Sequence, residues 1–353
     1  MTRRSRPLIA ALGLIALAGL AHAHGDVAAL RVELDAIAAE VVTASGAEQA
    51  DSAPYRAALA LAAAPARAAC EDHVPGPRPQ NTARSFVGQT MEEIEDRGFI
   101  EFAVYEDFAP YSWQEGSAPR GIDIDLGRII AAALGVEPRF RFVTAGETLD
   151  ADLMNCVWKG AAVGGRVSNV MLRVPYDSDF RCRVEQVVFT GQYAAEAIAI
   201  AYSRAAYPEA VPSAADRHEG APVPAFFRFD TVGVENDSIA DFCLTAFPGG
   251  QIGPNIRRYP TTAEAMAALA AGQVMAVMGP QAQLEHAAAE GIAVHRPPLP
   301  GFAQGDWTLG VAIHHSHRDL AYAVDDAIAA ALADGRIEAI FRQAGLTFRP
   351  PER

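Results

Sequence analysis

Residues 98–135 read GFIEFAVYEDFAPYSWQEGSAPRGIDIDLGRIIAAALG. The apolar run Phe102-Ala103-Val104 predicts a buried strand. An aromatic loop, Tyr105 to Tyr111, follows it, and a polar turn containing Gly116 comes next. Gly121 then opens an apolar helix that closes at Leu134-Gly135, where glycine suits a helix end. This order places Tyr105, Asp107, Phe108, Tyr111, Trp113 and Asp123 near the C-terminal end of a first parallel strand. That end is where open α/β sheets bind ligands.

Strand and helix patterns alternate from there to the C-terminus, which predicts parallel sheets covered by helices. Phe140–Val143, Val167–Val174, Asp230–Val234, Val274–Met278 and Trp307–Ile313 read as strands, and Ala197–Tyr202 as an extended apolar run. Asp150–Lys159 and Thr261–Ala271 read as helices, the second capped by Thr261 or Thr262. Two closing helices fit Asp319–Gly345. The Pro- and Gly-rich stretch Tyr207–Pro224 interrupts this series. Upstream, Val27, Leu30, Leu34, Ile37 and Val41 recur at helical spacing, and Tyr55–Ala69 is Ala-rich. A proline-bearing linker and a short helix at Thr90–Glu95 lead into the first strand.

The N-terminus reads as an address. Arg3, Arg4 and Arg6 precede an apolar run, Leu8–Leu20, and Ala21-His22-Ala23 suits cleavage, so residues 1–23 are expected to be a secretory signal. The mature chain is expected in the periplasm. The formal net charge is −14, and the leader carries three of the positive charges. Such acidity disfavours nucleic acid and anionic lipid as partners, and solubility alone accounts for it.

Four cysteines, Cys70, Cys156, Cys182 and Cys243, allow disulfides in an oxidising compartment. Cys156 and Cys182 flank one predicted strand and are the first pair expected; buried free thiols are the alternative. Enzyme signatures are missing from the sequence: no GxSxG, no GxGxxG after a strand, no P-loop and no HExxH. Asp123 and Asp125 at the helix entry face apart rather than forming an acid–base pair. His314, His315 and His317 lie close together, but a turn after a strand need not converge them on a metal. The chain is therefore expected to be neither an enzyme nor a metal or cofactor protein.

Several blocks further resemble extracellular solute-binding family 3. Val187–Tyr193 (VVFTGQY) is similar to its "VDFSDPY", and Val232–Ser238 (VGVENDS) to its "VGVQKGS". Glu264–Met278 resembles "EALQALLNGRVDAVV", Leu309–Ile313 resembles "YGIAV", and Asp334–Phe341 resembles "ADGTYAEIY". The resemblance covers about 98–347. It implies a two-lobed periplasmic-binding-protein fold, each lobe a doubly wound sheet, with a helical N-terminal extension at 24–97. Lobe 1 is expected at 98–193 plus 306–353 and lobe 2 at 194–305, hinged near Ala194–Tyr202 and Gly305–Ile313. A ligand between the lobes would stabilise a closed form. The resemblance implies that Arg181 grips a ligand carboxylate. Asp237 and Ser238 lie where a helix start offers backbone N–H groups to an anion.

Two departures stand out. Arg173-Val174-Pro175-Tyr176-Asp177 replaces the family's "GMSIT", and Met278-Gly279-Pro280 stands where the family has an ammonium-binding aspartate. A buried ammonium without a counter-charge is costly, so an ordinary α-amino acid is not the expected ligand. Arg173 is a further cleft candidate, from the end of the third strand. The expected role is capture of a small polar or anionic ligand for an ABC permease, by a monomer. A second expectation comes from Asp152–Gly160, Gly164-Gly165 and Asn169–Asp177. These are similar to the "VWKG…GG…DVMLHVPYD" of a subgroup linked to PQQ-dependent methanol or alcohol dehydrogenases, which implies an accessory protein binding a periplasmic quinoprotein.

Overall fold

The computed structural model describes residues 89–161, 166–176, 184–208, 221–247, 250–299 and 305–352. The signal segment, most of the helical extension, Arg181, Cys70 and Cys182 lie outside the described residues. Helix α1 (Met91–Arg97) begins on a capping box: the Thr90 side chain accepts from the Glu93 amide, and Glu93 answers the Thr90 N–H. It ends at Gly98, whose φ of 72° is the left-handed stop that glycine favours.

Strand β1 (Phe99–Tyr105) follows, then a small hairpin, β2 (Trp113–Glu115) and β3 (Ala118–Arg120). Helix α2 (Ile122–Ala133) buries Ile122, Ile124, Leu126 and Ile130. Strand β4 (Glu137–Val143) pairs parallel with β1. The helix expected at Asp150–Lys159 is α3 (Leu149–Leu153) running into a π-helical turn at Met154–Trp158. Strand β5 (Val170–Tyr176) lies on the other side of β1, also parallel.

The chain then crosses from one sheet to the other. Strand β6 (Val187–Ser203) is one continuous strand of 17 residues. Beyond it come β7 (Val232–Glu235), α4 (Ile239–Thr245), β8 (Ile256–Tyr259), α5 (Thr262–Ala270), β9 (Ala276–Pro280), α6 (Gln281–Ala287) and β10 (Ile292–His295). Strand β11 (Asp306–His314) returns, and α7 (Arg318–Ala333) and α8 (Arg336–Gln343) close the chain.

Strand order along the joined sheet is β4-β1-β5-β11-β6-β9-β7-β8, with β10 on β6. The N-terminal half of β6 pairs antiparallel with β11, and its C-terminal half pairs with β9 and β10. One strand therefore belongs to both sheets, and the two sheets meet along it. Each sheet is covered on both faces. Ile100, Phe102, Ile124, Ile130 and Val324 form one core of the first sheet, and Ala103, Leu153, Met171 and Phe189 the other. Val234, Leu244 and Met278 pack one face of the second sheet, and Ala265, Leu269 and Val277 the opposite face. This is the doubly wound arrangement that the alternating pattern implies.

The sequence pattern missed the β2–β3 hairpin, β8, α6 and β10, all short or weakly periodic. Among the described residues no helix is long and apolar enough to cross a membrane. Cys156 and Cys243 are free thiols, so Cys156 is not half of the expected pair with Cys182. Burial pushes the Cys243 thiol up to about 12 and also raises that of Cys156.

Candidate ligand site at the crossing strand

The loop after β1 is locked before any ligand is considered. Phe108 donates its amide to the Ser112 carbonyl at 2.8 Å, and the Ser112 hydroxyl donates to the Tyr105 carbonyl at 2.6 Å. Helix α2 has no side-chain cap at Gly121. Its first amides are answered by the loop instead: Ile122 donates to the Pro110 carbonyl at 3.1 Å and Asp123 to that of Tyr111 at 2.9 Å. Gly121 has φ of 120°, and a Cβ there would stand 2.1 Å from the Tyr111 carbonyl oxygen. Only glycine lets the loop lie this close to the helix.

Arg173 comes from β5, and a bulge aims it. Against β11, the register shifts between Gly310 and Ala312, so Leu172 and Arg173 oppose a single residue. Arg173 takes φ of 59°, left-handed for a non-glycine residue. Bulges re-aim side chains in this way, and such backbone strain recurs at functional sites. The Arg173 guanidinium lies 4.2 Å from the centre of the Phe108 ring and 3.8 Å from that of Tyr111. Arg173 and Phe108 are partly buried, and a cation over aromatic faces in such a setting gains about 1–2 kcal/mol.

Three further residues, Asp123, Tyr193 and Glu196, lie near this cation. The Tyr193 hydroxyl donates to Asp123 Oδ1 at 3.0 Å. The Tyr111 hydroxyl donates to Glu196 Oε2. Glu196 lies on β6 where the two sheets meet, and its other oxygen accepts from the Ala197 amide at 2.8 Å. The Ala282 amide, at the start of α6, also bonds to it. Tyr111, Asp123, Tyr193 and Glu196 are all 3% exposed or less. The group thus ties the aromatic loop, helix α2, the shared strand and a helix of the second sheet together.

Its electrostatics are tightly coupled. Burial pushes the Asp123 carboxyl up to about 6, although Arg173 and the Tyr193 hydroxyl pull the other way. Burial likewise raises Glu196 against its three hydrogen-bond donors and Arg173. Burial opposes the charge on Arg173, but Tyr111, Asp123, Tyr193 and Glu196 outweigh it and hold the arginine above its ordinary value. Three polar atoms of the region are buried without a partner: Arg173 Nε, Asp123 Oδ2 and, at the start of α6, Gln281 Oε1. Buried polar atoms are rarely left unanswered without cause.

The structure therefore gathers Phe108, Tyr111, Asp123 and Arg173 from the expected site residues. Tyr105 borders them, its ring 6.0 Å from that of Phe108, but its hydroxyl donates to Asp152 Oδ2 at 2.7 Å. Asp107 is exposed at a left-handed turn position with φ of 50°. Trp113 lies on β2 with its ring 5.8 Å from His286, beside a separate crevice of about 230 Å³. Asp237 is exposed, and Ser238 caps α4 by accepting from the Asp241 amide at 3.2 Å. The anion at that helix start is the chain's own Asp241, which accepts from the Asp237 amide at 3.2 Å and from Arg258 twice at 2.8 Å. Tyr193 and Glu196 were not singled out from the sequence. A lone carboxylate inside the apolar run Ala194–Ile200 was the available signal for Glu196.

Among the described residues no group of His, Cys, Asp and Glu is placed to hold a metal. His314 is buried at the end of β11 with its ring 4.5 Å from that of His315. Burial and its two histidine neighbours push it down to about 3, so it is neutral near pH 7.

No protein-family model matches the chain, and no curated protein sequence does. Solved structures do resemble it. An ancestral cationic amino acid solute-binding protein, AncCDT-1, superposes with a TM-score of 0.56 at 19% identity, covering 73% of this chain and 100% of that one. An amino acid ABC transporter substrate-binding protein from Streptococcus pneumoniae, bound to L-arginine, gives 0.51 at 20% identity over 74% and 100%. A solute receptor for L-cysteine from Neisseria gonorrhoeae gives 0.50 at 18% identity over 72% and 93%. At these identities the likeness is one of fold: the chain has the two-lobed periplasmic-binding-protein architecture.

Proposed function

We propose that the chain is an exported solute-binding protein whose ligand seat is the Arg173 group at the crossing strand. The observation that carries this reading is the buried set of unanswered polar atoms, Arg173 Nε and Asp123 Oδ2 above all. It lies where two sheets of a binding-protein fold meet. Arg173 is already balanced by Asp123 and Glu196. A ligand carrying both a hydrogen-bond donor and an acceptor, and little net charge, therefore suits the seat better than a zwitterionic α-amino acid. Delivery to an ABC permease, in the periplasm, is part of the proposal. So is the division into lobe 1 (98–193 plus 306–353) and lobe 2 (194–305).

A thermal-shift panel tests it, with amino acids, hydroxy acids, amides and polyols. A true ligand at 100 times its Kd adds about 2.7 kcal/mol of stability. No stabilisation by any class would refute the reading.

A second reading is that the chain assists a periplasmic quinoprotein dehydrogenase. The charged positions that a small ion would use, at Arg173 and at the start of α4, are met by the chain's own groups, which favours a protein partner over an ionic ligand. Affinity capture from periplasm of cells expressing such a dehydrogenase tests it. Recovery of the dehydrogenase supports this reading, and its absence from the captured fraction argues for the first.

A further inference from the structure

We infer that Phe108, Tyr111, Asp123 and Glu196 form a seat for a guanidinium group, and that Arg173 fills that seat from within. Arg173 would then set specificity by excluding cationic ligands. The inference rests on reading this group as the ligand seat. Its basis is geometric. A planar cation lies against two ring faces, 4.2 and 3.8 Å from their centres. Two buried carboxylates stand in the same group, each fixed by a tyrosine hydroxyl. Planarity, charge and aromatic stacking are the properties that distinguish guanidinium from ammonium.

The hydrogen bonds that hold the rest of the seat do not involve Arg173. Tyr111 is held by Glu196, by the loop bond from its amide to the Phe108 carbonyl, and by α2, whose Asp123 amide donates to its carbonyl. Asp123 is held by Tyr193. Arg173 is the strained member, reaching the seat from a bulge in a left-handed conformation. Glycine adopts that conformation without steric cost. Arg173→Gly therefore removes the occupant, relieves the backbone and leaves the walls in place.

The test titrates methylguanidinium into Arg173→Gly and into the unmodified chain, with methylammonium at equal ionic strength as the control. The expected result is binding to Arg173→Gly at least about tenfold tighter than to the unmodified chain. Methylammonium should bind more weakly to the variant. Adding Asp123→Asn to the variant should weaken methylguanidinium binding. Equal affinity of both chains, or of both cations, would overturn the inference.

A second measurement needs no variant that folds. The Nε–H resonance of Arg173 in the unmodified chain should be displaced by the two rings and protected from exchange. A resonance at the free-arginine position, exchanging freely, would also overturn the inference. The two proposals fail separately. An unmodified chain that binds no solute removes the solute-binding reading but leaves a methylguanidinium-binding variant to be explained. A chain that binds a neutral solute while the variant ignores methylguanidinium removes this inference alone.

Discussion

The Arg173 guanidinium lies 3.8 Å from the centre of the Tyr111 ring, and the hydroxyl of that ring donates to Glu196. Tyr111 thus presents its face to a cation and its edge to a carboxylate. Tyr111→Phe keeps the face and removes the donor. Glu196 would retain its two backbone donors and lose its side-chain one. Leaving a buried charged acceptor short of a partner costs about 1–3 kcal/mol. Urea unfolding should report that loss, and an unchanged midpoint would show that the hydroxyl does not hold the carboxylate.

Asp123 gives a pH signature. Its carboxyl is pushed up to about 6 in the folded chain, against about 3.9 when unfolded. Between those values the folded chain holds more protons than the unfolded one, so stability falls as pH rises through about 4 to 6. The contribution is present below the unfolded value and lost above the folded one, and amounts to about 3 kcal/mol. Asp123→Asn mimics the protonated group. It is expected to match the unmodified chain near pH 4 and to exceed it in stability at pH 7. The neutralisation of His314 acts in the opposite sense but is common to both chains and cancels in the difference. Equal stability of the two chains at pH 7 would contradict the buried position of Asp123.

Gly121 tests the loop that carries Tyr111. A methyl group at this position would meet the Tyr111 carbonyl at 2.1 Å, on a backbone with φ of 120°. Gly121→Ala must push the loop away from α2 and break the hydrogen bonds that the Ile122 and Asp123 amides donate to it. A loss above about 3 kcal/mol is expected, the range of buried steric and backbone strain combined. Thermal unfolding of the variant measures it. A loss below about 1 kcal/mol would mean that the loop does not pack on α2 in this way.

The cysteines make a chemical prediction. Cys156 and Cys243 are free thiols with raised pKa values, and the thiolate is the reactive form. Iodoacetamide should therefore label both slowly in the folded chain and fast in denaturant, without prior reduction. Mass spectrometry that finds either residue in a disulfide would contradict the structure.

Local patterns carried most of the fold. Thr90 and Thr261 cap the helices their neighbours imply, and Gly135 ends an element where expected, while α1 runs past the expected end at Glu95 to Arg97 before Gly98 stops it. Alternation of strand and helix was legible because each apolar run is covered on both faces. The site was legible in part, because Phe108, Tyr111 and Asp123 follow one strand end. Arg173 joins them through a bulge, which adds one residue without any periodic mark. Glu196 and Tyr193 arrive on the shared strand, and no spacing along the chain reports which distant segments that strand touches. Trp113 and Asp107 share the loop with Tyr111 but face elsewhere, since a hairpin and a left-handed turn intervene. The carboxylate at the start of α4 was invisible for a similar reason: Asp241 folds back on its own helix end.

The central claim is that Arg173, Asp123 and the two rings form one buried seat with polar edges left to a ligand. A high-resolution crystal structure of the chain grown with the strongest hit of the thermal-shift panel tests it most directly. The account predicts the Arg173 guanidinium between Phe108 and Tyr111, with the bound molecule accepting from Arg173 Nε and donating to Asp123 Oδ2. A ligand seated elsewhere, with those two atoms bonded directly to each other, would contradict it.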